Sequence, residues 1–189
     1  MRFQNQFIAA LTSTALFGAG IAYAQDDETP AADDTAPAES DALPATSATI
    51  ADAEGNQIGG IEVAFTESGM ARVNLSLTGI ATGNHAVHFH ETGLCEAPFE
   101  SAGGHLADGM EHGVNSPNGP HPGDMPNVTV PEGGALALTY FVPNLTSELV
   151  QDTDGTAFII HEGEDDYMSQ PSGEAGGRLG CAVIAPPAA

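Results

Sequence analysis

The sequence predicts an all-β fold, a sandwich or barrel, in one domain of about 140 residues. From Ser47 onward, short runs alternate apolar residues with polar or small ones, the period of a half-buried strand. Glycine and proline, 23 and 13 of the 189 residues, fall between these runs where turns are needed. No stretch carries a convincing helical period.

The chain begins with Arg2, an apolar run from Phe7 to Ala22 and the small-x-small triplet Ala22-Tyr23-Ala24, the pattern of a secretory signal peptide over residues 1–24. Thr12, Ser13 and Thr14 interrupt the run, which falls short of the ~20 residues a membrane span needs. Residues 25–45 are an acidic Ala/Pro-rich linker with seven acids, no base and no aromatic. Such a composition cannot bury enough apolar surface to offset its ordering entropy, and it reads as a disordered, solvated tether. The folded domain is expected over 46–189.

Within it, Ile61, Val63 and Phe65 alternate, as do Ala71, Val73, Leu75 and Leu77 beyond the turn at Ser68-Gly69. Ala135–Val142, Ala157–His161 and Arg178–Ala185 read as three further strands. Two segments do not, Thr92–Asn127 and Glu162–Gly177, both rich in glycine. Loops longer than ~12 to 15 residues inside a compact domain are usually functional or disordered, and histidines bracket both of these.

The stretch Gly83–Cys95, GNHAVHFHETGLC, holds three of the seven histidines. On a strand, His88 and His90 share one face while His85 faces the other with Val87 and Phe89. Two imidazoles so spaced can chelate one metal ion. His105, His112, His121, Asp124 and His161 are the remaining candidates; four imidazoles suit copper, and three with a carboxylate suit tetrahedral zinc. Cys95 and Cys181 are the only cysteines, and in an exported chain a disulfide is the default pairing. It would close a loop worth on the order of 4 to 5 kcal/mol of chain entropy. From Thr46 onward nineteen acids stand against Arg72 and Arg178, a net charge of minus 17. That balance argues against nucleic acid or an anionic membrane as partner.

The motifs HAVHFHETG, SAGGH (Ser101–His105), EHG (Glu111–Gly113), GPHPGD (Gly119–Asp124), IIHEG (Ile159–Gly163) and GGRLGC (Gly176–Cys181) together resemble the copper/zinc superoxide dismutase family, in the family's order and across roughly Ser47–Ile184. Asp165–Arg178 looks more like bacterial than animal members. The resemblance implies a Greek-key β-barrel or sandwich of about eight antiparallel strands, the family being a known sandwich architecture. The two long segments correspond to its zinc loop and electrostatic loop, and the Cys95–Cys181 disulfide agrees with it. In a bacterial-looking chain, the N-x-Ser/Thr triplets at Asn74, Asn127 and Asn144 are read as chance matches.

Carried over motif by motif, the resemblance implies one copper held by His88, His90, His105 and His161, and one zinc held by His105, His112, His121 and Asp124, with His105 as bridge. It implies superoxide as substrate. Copper would be alternately reduced and reoxidised as superoxide becomes dioxygen and hydrogen peroxide, and His105 would release and regain the proton. Arg178 matches the arginine that attracts the anion, Asp165 a carboxylate bonded to one histidine of each metal, and His85 a histidine bracing the copper site from the barrel side. A monomer or homodimer in the periplasm or outside the cell is expected. The chain departs from the family in having no lysine in Glu162–Gly177, and its zinc loop departs slightly in length, with His105 and His112 seven residues apart. Loss of a copper ligand or of Arg178 would favour a secreted metal carrier, and neither is lost; the complete ligand set argues strongly against a metal-free structural domain.

Overall fold

A computed structural model describes residues 45–189, and the expected signal peptide and the linker as far as residue 44 lie outside it. Nine strands are present among these residues: β1 (Ala45–Ala51), β2 (Gln57–Phe65), β3 (Ala71–Leu77), β4 (Gly83–His85), β5 (Val87–His90), β6 (Val128–Val130), β7 (Leu136–Val142), β8 (Thr156–His161) and β9 (Arg178–Ala185). Helix is confined to a 3-10 turn at Glu100–Ala102 and one turn, α1 (Ser147–Val150), capped by the Thr146 hydroxyl accepting from Leu149 N–H. Ala45, assigned to the linker by composition, is instead the first residue of β1 and pairs with Ala64.

Every pairing is antiparallel. Seven strands form one sheet in the order β5-β8-β9-β1-β2-β3-β7, and β4 pairs with β6. The chain leaves β3, runs through β4, β5 and β6 elsewhere, and returns as β7 to lie beside β3 with Leu75 opposite Leu138, a return of the Greek-key kind. The all-β expectation therefore holds, with β1 and the two three-residue strands added.

Along β2 and β3 the alternation is largely the expected one: Ile61, Val63, Val73, Leu75 and Leu77 are buried, and Glu62 and Asn74 between them are not, but at the end of β2 Ala64 is buried and Phe65 only half-buried. They share a core with Val128 and Val130 of β6, Leu106 and Met125 of the first long loop, and Phe89 and Phe158. Burial of these side chains stabilises the barrel by roughly 1.5 to 3 kcal/mol each.

In β8 all six residues are buried. Phe158 and Ile160 face the main core, whereas Ala157 and Ile159 face a second cluster with Phe99, Ala102 and Cys181. The first long loop thus covers the outer face of β8, and the Cys95–Cys181 disulfide, with Cα atoms 5.7 Å apart, ties that loop to β9. The register places His88 opposite Ile159 and His90 opposite Ala157, so both imidazoles lie under the same cover.

The histidine-rich stretch is not one continuous strand. At Ala86 the chain changes partners, Ala86 N–H donating to Gly163 O and Ala86 O accepting from His161 N–H at 2.8 and 2.9 Å. β4 before it belongs to the small ribbon and β5 after it to the large sheet.

Truncating Leu75 to alanine should lower unfolding free energy by about 2 to 5 kcal/mol, read from the denaturant midpoint with the disulfide intact. Metal content per folded molecule should not change, because β3 lies remote from β5 and β8 in the strand order.

Candidate metal centre

Seven side chains from β5, β8 and the first loop gather into two groups that share one member. His88, His90, His105 and His161 form the first, and His105, His112, His121 and Asp124 the second; within each, one ligand atom per residue lies within 4.8 Å of the others. Two isolated bridges, His88 to Asp124 and His90 to His105, fasten the loop's backbone to β5.

Hydrogen bonding fixes the orientation of every ring in the two groups except that of His161. His88 Nε2 donates to Asp165 Oδ2 at 3.0 Å, and His90 Nδ1 donates to Gly103 O at 3.1 Å. That leaves His88 Nδ1 and His90 Nε2 buried without a partner, as are His105 Nε2 and both ring nitrogens of His161. Buried polar atoms are ordinarily paired. Several unpaired imidazole nitrogens in one cluster are the donor set of a metal site, so the first group fits a copper ion. In the second group His105 Nδ1, His112 Nδ1 and His121 Nδ1 lie 3.0, 3.0 and 3.2 Å from Asp124 Oδ1, while Asp124 Oδ2 accepts from Gly113 N–H and His121 N–H. Three imidazoles and a carboxylate converging in this way fit tetrahedral zinc.

The environment favours the ligating protonation states of His90, His105, His161 and Asp124, and in the absence of metal favours the protonated form of His112. Burial, reinforced by the neighbouring His105, pushes His90 down to about 2. Burial likewise lowers His161 to about 3, with His88 adding to it, and His105 to about 4 despite its bond to Asp124. Burial works against ionisation of Asp124, but its three histidine bonds outweigh it and hold the carboxyl far below the usual range. For His112, too, burial opposes the charge, and the bonds to Asp124 and Asp165 prevail, raising it to about 9. Neutral imidazoles and an ionised carboxylate are the forms that bind metal.

Asp165 joins the two groups, since its other oxygen, Oδ1, accepts from His112 Nε2 at 2.9 Å. It is held by its own loop, with Tyr167 N–H donating to Oδ1, and by Asn127, whose carboxamide bonds both Asp165 N–H and Asp165 O at 2.9 Å. His85 lies outside both groups; its Nδ1 is 2.9 Å from the carbonyl oxygen of His161, so it touches the backbone of the first group. Arg178 donates to Phe99 O and, at 2.7 Å, to Gly103 O, the carbonyl that His90 also uses. With His90, His105, His161 and Gly176 it lines a pocket of about 160 Å³.

Sequence reasoning missed two of these contributors. Asn127 was noticed only as part of an N-x-Thr triplet, yet its carboxamide is occupied by Asp165, 38 residues away. Gly173, at φ +67°, passes so close to the bridge that a Cβ there would sit 1.9 Å from Asp165 Oδ1 and 2.7 Å from His112 Nε2. Nothing in the run SGEAGG distinguishes this glycine from its neighbours.

Fold and site together define a β-barrel protein with two adjoining groups, seven histidine and aspartate side chains in all, that could each hold a metal ion. The family model for copper/zinc superoxide dismutase matches residues 59–184. A copper-zinc superoxide dismutase of Aquifex aeolicus is 39% identical over 145 residues, covering 72% of this chain and 84% of that one. One from Caulobacter vibrioides is 36% identical over 147 residues, covering 73% and 84%. Among solved structures, a double mutant of a superoxide dismutase-like protein from Bacillus subtilis superposes with a TM-score of 0.71 at 36% identity, covering 74% of this chain and 96% of that one. The chain belongs to the copper/zinc superoxide dismutase family. It is an enzyme that dismutates superoxide, with copper and zinc as cofactors.

The depressed histidines make acid a specific stress on the metal-free protein. Their unfolded forms take up protons near pH 6.5, whereas in the fold His90, His161 and His105 do not until about 2, 3 and 4, so stability falls as pH drops below 6.5. His112 acts oppositely, its contribution being lost as pH rises through about 9. Calorimetry in chelator should show the melting temperature falling from pH 6.5 to 5, and zinc and copper should raise it at each pH without removing that dependence, since metal-bound histidines stay unprotonated in the fold while the unfolded chain still takes up protons.

Proposed function

We propose that His88, His90, His105 and His161 hold the copper, that His105, His112, His121 and Asp124 hold the zinc, and that His105 bridges them. The observation that supports this most directly is the placement of His105 in both groups, Nδ1 toward Asp124 and Nε2 buried and unpartnered among the others. Copper, when bound, supplies one-electron transfer in both directions. One superoxide gives up an electron and leaves as dioxygen; a second gains an electron and two protons and leaves as hydrogen peroxide. His105 Nε2 holds one of those protons between the two half-reactions, and solvent supplies the other. Its Nδ1 stays toward the zinc side, which fixes the ring so that the same nitrogen is presented in each cycle.

Arg178 draws the anion to the pocket. Two backbone carbonyls fix its guanidinium beside His90, His105 and His161. Asp165 orients His88 and His112 together, so zinc binding steadies a copper ligand. The Cys95–Cys181 disulfide is compatible with a periplasmic or extracellular location, and the reading is of an exported protein there, monomeric or homodimeric.

Substituting His161 by alanine should abolish copper binding and activity while zinc is retained, whereas Asp124→Ala should lose zinc first; metal analysis and a dismutase assay read both. Full activity in the His161 variant would overturn the assignment.

Charge yields a separate expectation. Glu100 and Glu162 line the cavity that opens beside Arg178, and the described part of the chain carries nineteen acids against two arginines. Repulsion from the body acts at a distance, and raising ionic strength from about 0.01 to 0.15 M shortens the screening length from roughly 30 to 8 Å. The close attraction of Arg178 and the metals is screened less. The catalytic rate constant should therefore stay flat or rise over that range, and a steep fall would show that local steering dominates.

A further inference from the structure

We propose that Gln170 is a positioning residue for the zinc-side histidine, His112, acting through its main chain. The Gln170 carboxamide spans both polar groups of one peptide position: Oε1 accepts from His112 N–H at 2.9 Å and Nε2 donates to His112 O at 2.9 Å. Ser116 Oγ, which itself donates to His112 O, lies 3.0 Å from Nε2, and Met168 O lies 3.1 Å away. A glutamine thus occupies the place of a neighbouring strand, pinning the backbone of a residue whose ring is already held at both nitrogens.

The contact has a counterpart. Asn127, at the end of the first long loop, bonds the N–H and carbonyl of Asp165 in the second, while Gln170 of the second loop bonds the N–H and carbonyl of His112 in the first. His112 and Asp165 are the two residues whose side chains meet at 2.9 Å. Each loop therefore fixes the main chain of the other's contributor to that bond. Without Gln170, His112 keeps its side-chain partners but its Cα is free to shift, and a ligand displaced by a fraction of an ångström binds its metal less tightly. The role assigned to Gln170 is to slow zinc release and set zinc-site geometry.

This inference rests on the reading of His112 as a zinc ligand, so the test separates the two. Gln170→Leu removes both bonds; Gln170→Glu keeps an acceptor for His112 N–H but places oxygen against its carbonyl. The mature disulfide-bonded enzyme and its variants are loaded with copper and zinc, and zinc release to a chelator is timed. Cobalt(II) replaces zinc in parallel samples, and its visible spectrum reports the ligand field. Release should quicken by about 10-fold or more in the leucine variant, and by less in the glutamate variant, with the cobalt spectrum altered in both. Parent release rates and an unchanged cobalt spectrum would overturn the proposal, even with a lowered melting temperature, since that pattern marks a contribution to stability alone. If only the glutamate variant folds, its release rate and spectrum decide by the same criteria. His112→Ala serves as the control, and parent-like zinc binding there would overturn the ligand reading and this inference with it.

Discussion

The carboxylate of Asp165 is the contact on which the rest depends. It is buried, and it accepts from His88 of one group and His112 of the other. A buried charge is tolerated only when its oxygens are fully engaged, and here two imidazoles and the Tyr167 N–H supply the partners. The site thereby becomes one unit rather than two adjoining ones. Loss of either histidine would leave a charged oxygen short of a partner in the interior, and such losses cost far more than the bond itself contributes.

Two loops, not the barrel, supply most of the side chains in and around the two groups, and the barrel's part is to hold the loops at a fixed separation. β5 presents His88 and His90, and β8 ends in His161. The first loop runs from β5 to β6 carrying His105, His112, His121 and Asp124; the second runs from β8 to β9 carrying Asp165 and ending at Arg178. A loop of that length would ordinarily cost too much entropy to order. The disulfide, the second apolar cluster and the converging polar contacts offset that cost from three sides.

Much of this was legible because the signals were local. Parity alone placed His88 and His90 on one face and Phe89 on the other, and the apolar run Arg178–Ala185 reads as a strand with the bounds that β9 has. β1 was not legible: ATSATIA has one large apolar residue, and it is ordered by its pairing with β2 rather than by its own pattern. The three-residue strands β4 and β6 are too short for a period to register. The change of partner at Ala86 depends on Gly163 and His161, far along the chain. Gly173 and Asn127 escaped notice for the same reason, since their importance lies in what comes near them in space.

The two-sided burial of β8 has a bearing on how freely this sequence can drift. On β2 and β3, apart from Ala64, every second position meets solvent or half-meets it, so replacements there are filtered mostly at alternate sites. On β5 and β8 no position is open: inward residues are constrained by the barrel, and outward ones by the loop that lies over them. A scan of all single substitutions would accordingly show a two-residue rhythm of tolerance along one half of the sheet and none along the other. Permissiveness in the second half would be governed by how far a loop can yield, which makes the covering loop and its strands a single evolutionary unit.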